Sequence, residues 1–287
     1  MVLAMVIIGF IDNYIVVIAG HIGLWQFQIV RAVMAVALIA VLSRAGLGTL
    51  RPHRLWAVAV RSALITVGML FYFGALAFMP FAQALAGLFT SPIFILLITV
   101  FLLRQPIGPW RIVAVAIGFA GILLVLNPQA GHLSLLMVMP VAGGLFYAMG
   151  SLATRALCEG ESILCLLAGI MTMQGLFGVL ALILLAIAAP DVPDGRAGFL
   201  LRGWIWPIWE VMHLLVLQAV GSVAGVALII RAYQIGTASQ VAVLEYSALV
   251  FGPFFAWVLM RQGISIWQAG GIAMIASAGI IIALRSR

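Results

Sequence analysis

From Val2 onward the sequence is cut into runs of apolar residues, most of them near twenty long, separated by short polar links. A helix needs roughly 20 residues to cross the hydrocarbon of a bilayer. In lipid the backbone must also satisfy its own hydrogen bonds, which leaves helices and closed barrels as the spanning structures. These runs are continuously apolar, whereas barrel strands alternate with period two. An all-α integral membrane protein of ten transmembrane helices is therefore predicted. Its spans lie near 2–20, 25–43, 58–78, 81–103, 110–127, 134–154, 162–189, 211–231, 237–260 and 266–284.

Composition closes off the other classes. Charged residues make up 7% of the chain and hydrophobic ones 66%, against about 25% charged in soluble domains. All fourteen basic residues are Arg and they are scattered, so no clustered basic face for nucleic acid is expected. A chain without Lys cannot carry the Lys of a nucleotide-binding P-loop. The four His residues, at 21, 53, 132 and 213, have no metal-ligand spacing. Cys158 and Cys165 read as small apolar residues. No metal or cofactor is expected, and the first apolar run reads as a retained helix rather than a cleaved leader.

The Arg residues orient the chain. With the N-terminus in the cytoplasm, that side holds Arg44, Arg51, Arg54, Arg61, Arg104, Arg111, Arg155, Arg231, Arg285 and Arg287. The outer side holds Arg196, Arg202 and Arg261. Positive charge accumulates inside, so both termini are expected there, with the chain in the cell inner membrane. Trp204, Trp206 and Trp209 in the outer 190–210 link suit the headgroup level; a lid over a solute is the alternative.

A shift of 157 residues aligns the third to fifth spans with the eighth to tenth. Gly68 then meets Gly225, Ala75 meets Ala232, Gln83 meets Gln240, Arg104-Gln105 meets Arg261-Gln262, Ile107 meets Ile264 and Trp110 meets Trp267. Five spans is an odd number, so the second half (133–287) must enter the membrane upside down relative to the first (1–132). Two inverted five-helix repeats are a known basis for alternating access.

The run Ala75 to Leu85 (ALAFMPFAQAL), Ser91-Pro92, the charged turn before an Ile-Gly/Trp helix, and Phe27-Gln28-Ile29-Val30-Arg31 together resemble the EamA type of the drug/metabolite transporter superfamily. Within it, the chain looks most like the YddG aromatic amino acid exporters. That likeness implies an alternating-access secondary transporter exporting small metabolites, amino acids including aromatic ones, and not an enzyme. The family's Gly-Glu after the fourth helix of each half is replaced here by Arg104-Gln105 and Arg261-Gln262, so no role of those acids transfers.

Ionisable residues inside spans are functional candidates by default. Asp12 and Glu245 lie deep, while Arg31 is near enough to a face to snorkel. Small and polar stripes run along four spans: Gly9, Asp12, Asn13 and Val16; Gln83, Gly87, Thr90, Ser91 and Phe94; Gly143, Tyr147, Gly150, Ser151 and Thr154; Gln218, Gly221, Ser222 and Gly225. Such stripes serve close helix packing or a pathway. Tyr72, Tyr147, Tyr246, Phe73 and Phe89 are candidates for an aromatic wall. The predicted solute-binding set is thus Asp12, Asn13, Tyr72, Gln83, Phe89, Tyr147, Gln218, Glu245 and Tyr246. Pro92 and Gly252-Pro253, read as interior to long helices, are the predicted hinges. The expected partners are a small-molecule solute and the lipid bilayer, with a monomer as the unit. A membrane-embedded lipid-modifying enzyme, a carrier of other drugs or metabolites, and a channel are the alternatives.

Overall fold

A computed structural model describes residues 1–79, 81–104, 108–126, 138–261, 263 and 265–285. The boundary between the predicted halves, together with Gln105, Ile107, His132, Gln262, Ile264 and Arg287, lies outside them. Among the described residues there are helices and no strands, as the unbroken apolar runs require.

Thirteen α-helical segments follow in order: α1 (Val2–Asp12), α2 (Ile15–His21), α3 (Leu24–Arg44), α4 (Leu55–Ala75), α5 (Phe81–Leu88), α6 (Ser91–Leu97), α7 (Pro109–Leu126), α8 (Val138–Ala156), α9 (Ile163–Ala188), α10 (Trp209–Ile235), α11 (Ala238–Glu245), α12 (Ala248–Met260) and α13 (Ile266–Arg285). A π-helical turn, Ile98–Leu102, continues α6. Six stretches are long and apolar enough to cross a membrane: Val2–His21, Leu24–Arg44, Leu55–Ala75, Gln83–Leu102, Ile163–Ala188 and Trp209–Ile235. Large apolar side chains such as Phe101, Leu184, Ile187, Trp257 and Ile280 are exposed on the outside, where a soluble protein would carry charge.

Three spans that the sequence presents as continuous are broken near their middle. The first breaks after Asp12, where the Asn13 amide competes for backbone carbonyls. Asn13 Nδ2 donates to Gly9 O at 2.7 Å and to Gly252 O on α12 at 3.1 Å. The fourth breaks at Phe89-Thr90 and the ninth at Tyr246-Ser247. At the one, Thr90 Oγ1 donates to Gly87 O; at the other, Ser247 Oγ donates to Leu244 O, each at 2.7 Å.

These two breaks lie 157 residues apart, and so do the starts of α5 and α11, of α6 and α12, and of α7 and α13. Arg104 and Arg261, separated by the same interval, both take the left-handed conformation, with φ of 51° and 52°. The packing has a matching order. α3 lies against α9, α7 against α13, α4 against α8, and α1 against α10. Exchanging α1 with α8, α3 with α9, α4 with α10 and α7 with α13 maps each of these pairs onto itself or onto another.

The closest crossings use glycine. A Cβ at Gly68 would fall 2.8 Å from Gly143 O, and one at Gly143 would fall 2.8 Å from Gly68 O. α4 and α8 therefore meet backbone to backbone, the use of small residues expected in lipid. Gly221 and Gly225 on α10 receive Ile11 and Ile8 of α1, and Gly9 meets Gly252.

The 190–210 link contains a 3₁₀ turn, Gly195–Phe199, whose Phe199 is buried. Gln26 grips the link through both ends of its amide, donating from Nε2 to Ile205 O at 2.8 Å and accepting Ile205 N–H at 3.0 Å. Trp25 Nε1 donates to Leu200 O, and Arg202 donates to Ala19 O and Ile22 O. Trp204, Trp206 and Trp209 are exposed.

Candidate functional site

A cavity of about 80 Å³ lies among α1, α3, α4, α5, α8, α9 and α10. Its wall is mostly Met, Ile, Leu, Val and aromatic carbon, into which a few polar groups converge, the composition of a small-molecule site.

Asp12 lines it from the end of α1. Tyr72 Oη, on α4, donates to Asp12 Oδ2 at 3.2 Å. Arg31 lines it from α3 and is 3% exposed, so the snorkelling expected of it does not occur. Its length is folded inward because acceptors wait there. Nη2 donates to Gln28 Oε1 at 2.5 Å and to Gln174 Oε1, on α9, at 2.8 Å. The guanidinium carbon sits 4.7 Å from the Phe27 ring centroid and 4.9 Å from that of Phe73, within cation–π range. Among the described residues, Arg31 Nε and Gln28 Nε2 are buried donors without a hydrogen-bond partner.

Arg61, counted from the sequence among the cytoplasmic link charges, is instead 3% exposed inside α4 and lines the cavity. Nε donates to Thr154 Oγ1 at 2.8 Å and Nη1 to Leu166 O at 3.0 Å. Gln174 and Leu166 are eight residues apart on α9, so the anchors of the two guanidiniums are separated by roughly 12 Å along the helix.

Of the predicted set, Asp12, Phe89 and Tyr147 line the cavity, as does Phe73. The others do not. Tyr72 stands behind Asp12. Glu245 is fully buried one layer out, where Tyr147 Oη donates to its Oε1 at 2.8 Å. Tyr246 packs its ring against Gly118 of α7. Asn13 and Gln218 serve the backbone of the first span: Gln218 Nε2 donates to Ile11 O at 2.6 Å, an oxygen that also accepts Tyr14 N–H at the break. Gln83 is half-buried on α5 and outside the lining. Pro92 is not interior to a helix. It occupies the first turn of α6, where the missing N–H has no intrahelical partner to lose. Pro253 does lie inside α12, and Gly252 is where that helix meets Asn13.

Arg61, Gln174 and Tyr233 also line the cavity and stand outside the predicted set, as does Gln28, which holds Arg31; Ser151 and Thr154 line it too, as members of the stripe on α8. A signal existed for two of those outside the set. Gln174 is the sole amide in the apolar α9, and Arg61 lies six residues after the start of a span that begins at Leu55 rather than 58. Among the described residues no group of three or more His, Cys, Asp or Glu could hold a metal ion. Cys158 and Cys165 are free and buried in the core.

Residues 1–127 match the EamA-like transporter family. A riboflavin transporter of Rhizobium johnstonii is 34% identical over 116 residues, which span 40% of this chain and 38% of that protein. A riboflavin transporter of Vibrio cholerae is 26% identical over 78% of this chain and 68% of its own length. An S-adenosylmethionine uptake transporter of Rickettsia bellii is 24% identical over 76% and 68%. A solved structure, described only as the crystal structure of a protein, superposes with a TM-score of 0.75 over 98% of this chain and 94% of that one, at 17% identity. That last likeness is one of fold. With this kinship and its apolar helices, the chain is a multi-pass membrane protein.

Proposed function

We propose that this chain, EamA-like over its first 127 residues and a transporter rather than an enzyme, is an alternating-access carrier of small metabolites. In this reading ten transmembrane helices form two inverted five-helix halves, 1–132 and 133–287, with both termini on the cytoplasmic side of the inner membrane. The halves expose the cavity to one side and then the other, and α12 bends at Gly252-Pro253. The 157-residue recurrence of helix starts, breaks and left-handed caps supports that division.

The observation that carries the reading is the cavity itself, in which Asp12 and Arg31 project, alongside Arg61, into a mostly apolar, aromatic-walled space. No ion pair within 4.0 Å joins them among the described residues. Burying charges unpaired in a membrane is expensive, and a solute that meets both would offset that cost. An amino acid has the matching parts: an ammonium for Asp12, a carboxylate for Arg31, and an aromatic side chain for Phe73, Phe89 and Tyr147. Export of amino acids, aromatic ones among them, is therefore the reading the geometry favours. A second reading, a larger metabolite that includes a heteroaromatic ring system, is favoured by the names of the relatives from Rhizobium, Vibrio and Rickettsia.

Counterflow in proteoliposomes separates the two. Saturable exchange of labelled L-phenylalanine, abolished by Asp12→Asn and weakened by Arg31→Lys, is the expected result. Saturable exchange of riboflavin, with none of phenylalanine or S-adenosylmethionine, would replace the amino acid reading. Non-saturating flux of all three would mark a channel.

A further inference from the structure

Arg61 is a buried guanidinium whose hydrogen bonds all go to neutral groups. Thr154 Oγ1 accepts from Nε and Leu166 O from Nη1. No carboxylate lies within 4.0 Å of the guanidinium among the described residues. A charge in that position costs several kcal/mol in a bilayer unless something answers it. Thr154 and Leu166 orient the group without neutralising it.

Its placement shows what could answer it. Thr154 lines two spaces at once: the internal cavity, and a second, polar concavity that also holds Arg155, Arg231, Glu159 and Glu161. The Arg61–Thr154 bond therefore lies where the two spaces adjoin. In the outer concavity the acid Glu161 is already committed, accepting His53 N–H and Arg54 N–H at the start of α4. Arg155 is turned onto Gln234 O and Gly236 O. Arg231 and Glu159 line the outer concavity, while Arg61 and Arg31 line the cavity. Asp12 is the single carboxylate on the far cavity wall.

We propose that Arg61 and Thr154 form a constriction between the polar concavity and the cavity, and that Arg61 selects solutes carrying an anionic group, a carboxylate above all. The anion takes over the guanidinium from the Thr154 hydroxyl and the Leu166 carbonyl, which loosens α8 and α9 from α4 as the solute enters. Its part in turnover rests on the transport reading; its preference for anions does not. A purely structural Arg61, stapling three helices, would show no such preference.

The test uses the full chain in detergent, with Cys158→Ala, Cys165→Ala and a single thiol introduced by Ser151→Cys, on the cavity wall one turn from Thr154. Two methanethiosulfonate probes of similar size are compared, the anionic ethylsulfonate and the cationic ethyltrimethylammonium. Each rate is divided by that on free 2-mercaptoethanol. The anionic probe is expected to react faster by on the order of tenfold, and the preference shrinks as salt is raised. Arg61→Gln abolishes the preference and Arg61→Lys keeps it. Thr154→Val speeds both probes and leaves their ratio alone.

A parent without the preference overturns the proposal before any Arg61 variant is made. So does an unchanged ratio in Arg61→Gln, or a thiol that neither probe reaches even with Thr154→Val. A parent that shows the preference, yet exchanges none of the three labelled solutes, refutes the transport reading and leaves Arg61 as an anion selector.

Discussion

Tyr147 donates its hydroxyl to Glu245 Oε1 across 2.8 Å, so a side chain on the cavity wall holds a carboxyl that the cavity does not touch. Among the described residues Oε2 of that carboxyl makes no hydrogen bond. Tyr147→Phe leaves a buried acid without this bond, a loss of about 1–3 kcal/mol. It should lower the melting temperature of the purified protein in detergent. Adding Glu245→Gln should cost less than the sum of the two single changes, since both act on one bond. Strict additivity would show that the pair is uncoupled.

Arg31→Lys keeps the charge and discards the geometry. An ammonium cannot keep the planar contacts to Phe27 and Phe73 while bonding both Gln28 and Gln174. Solute half-saturation in counterflow should rise at least tenfold, equivalent to about 1.4 kcal/mol. An unchanged value would place Arg31 outside the binding surface.

The two proline positions should behave differently. Pro92 sits in the first turn of α6 and breaks no helical bond, so Pro92→Ala should shift stability by about 0.5 kcal/mol or less and leave turnover alone. Pro253→Ala supplies an N–H for Leu249 O and straightens α12 where it crosses α1. Turnover should fall several-fold with half-saturation preserved. Equal behaviour of the two variants would remove the bend from the mechanism.

Gln26 holds the 190–210 link by two bonds to Ile205. Gln26→Leu should free it, and limited trypsin digestion at Arg196 and Arg202 should quicken without a large change in melting temperature. Equal cleavage rates would mean that Trp25 and Arg202 suffice to dock the link.

The apolar runs made the helices legible because in lipid the backbone has few alternatives. Their breaks were less so. Asn13 and Ser91-Pro92 are visible interruptions, but Tyr246-Ser247 carries no proline, and only its alignment with Phe89-Thr90 marks it. The site was read in part. Asp12, Phe89 and Tyr147 could be found because a charge or a ring deep in a span is conspicuous. Asn13 and Gln218 are equally conspicuous, yet their amides go to backbone oxygens of a broken helix, a demand that appears only once the break is known. Arg61 was misplaced for a different reason: a long side chain six residues inside a helix start can turn outward to water or inward to a partner. Thr154 on α8 and Leu166 on α9, both distant in sequence, decide which.

Thr90 and Ser247 have a consequence beyond the breaks they sit in. Each hydroxyl satisfies a carbonyl three residues back on its own chain, so the interrupted turn carries its own substitute for water. Asn13, in contrast, spends one of its two bonds on a carbonyl of α12. A segment that solvates itself can slide past its neighbours without presenting a bare carbonyl to hydrocarbon, whereas one solvated by a neighbour must move with it. By this measure the breaks in the fourth and ninth spans satisfy one of their own carbonyls from within, and the break in the first span is fastened to α12.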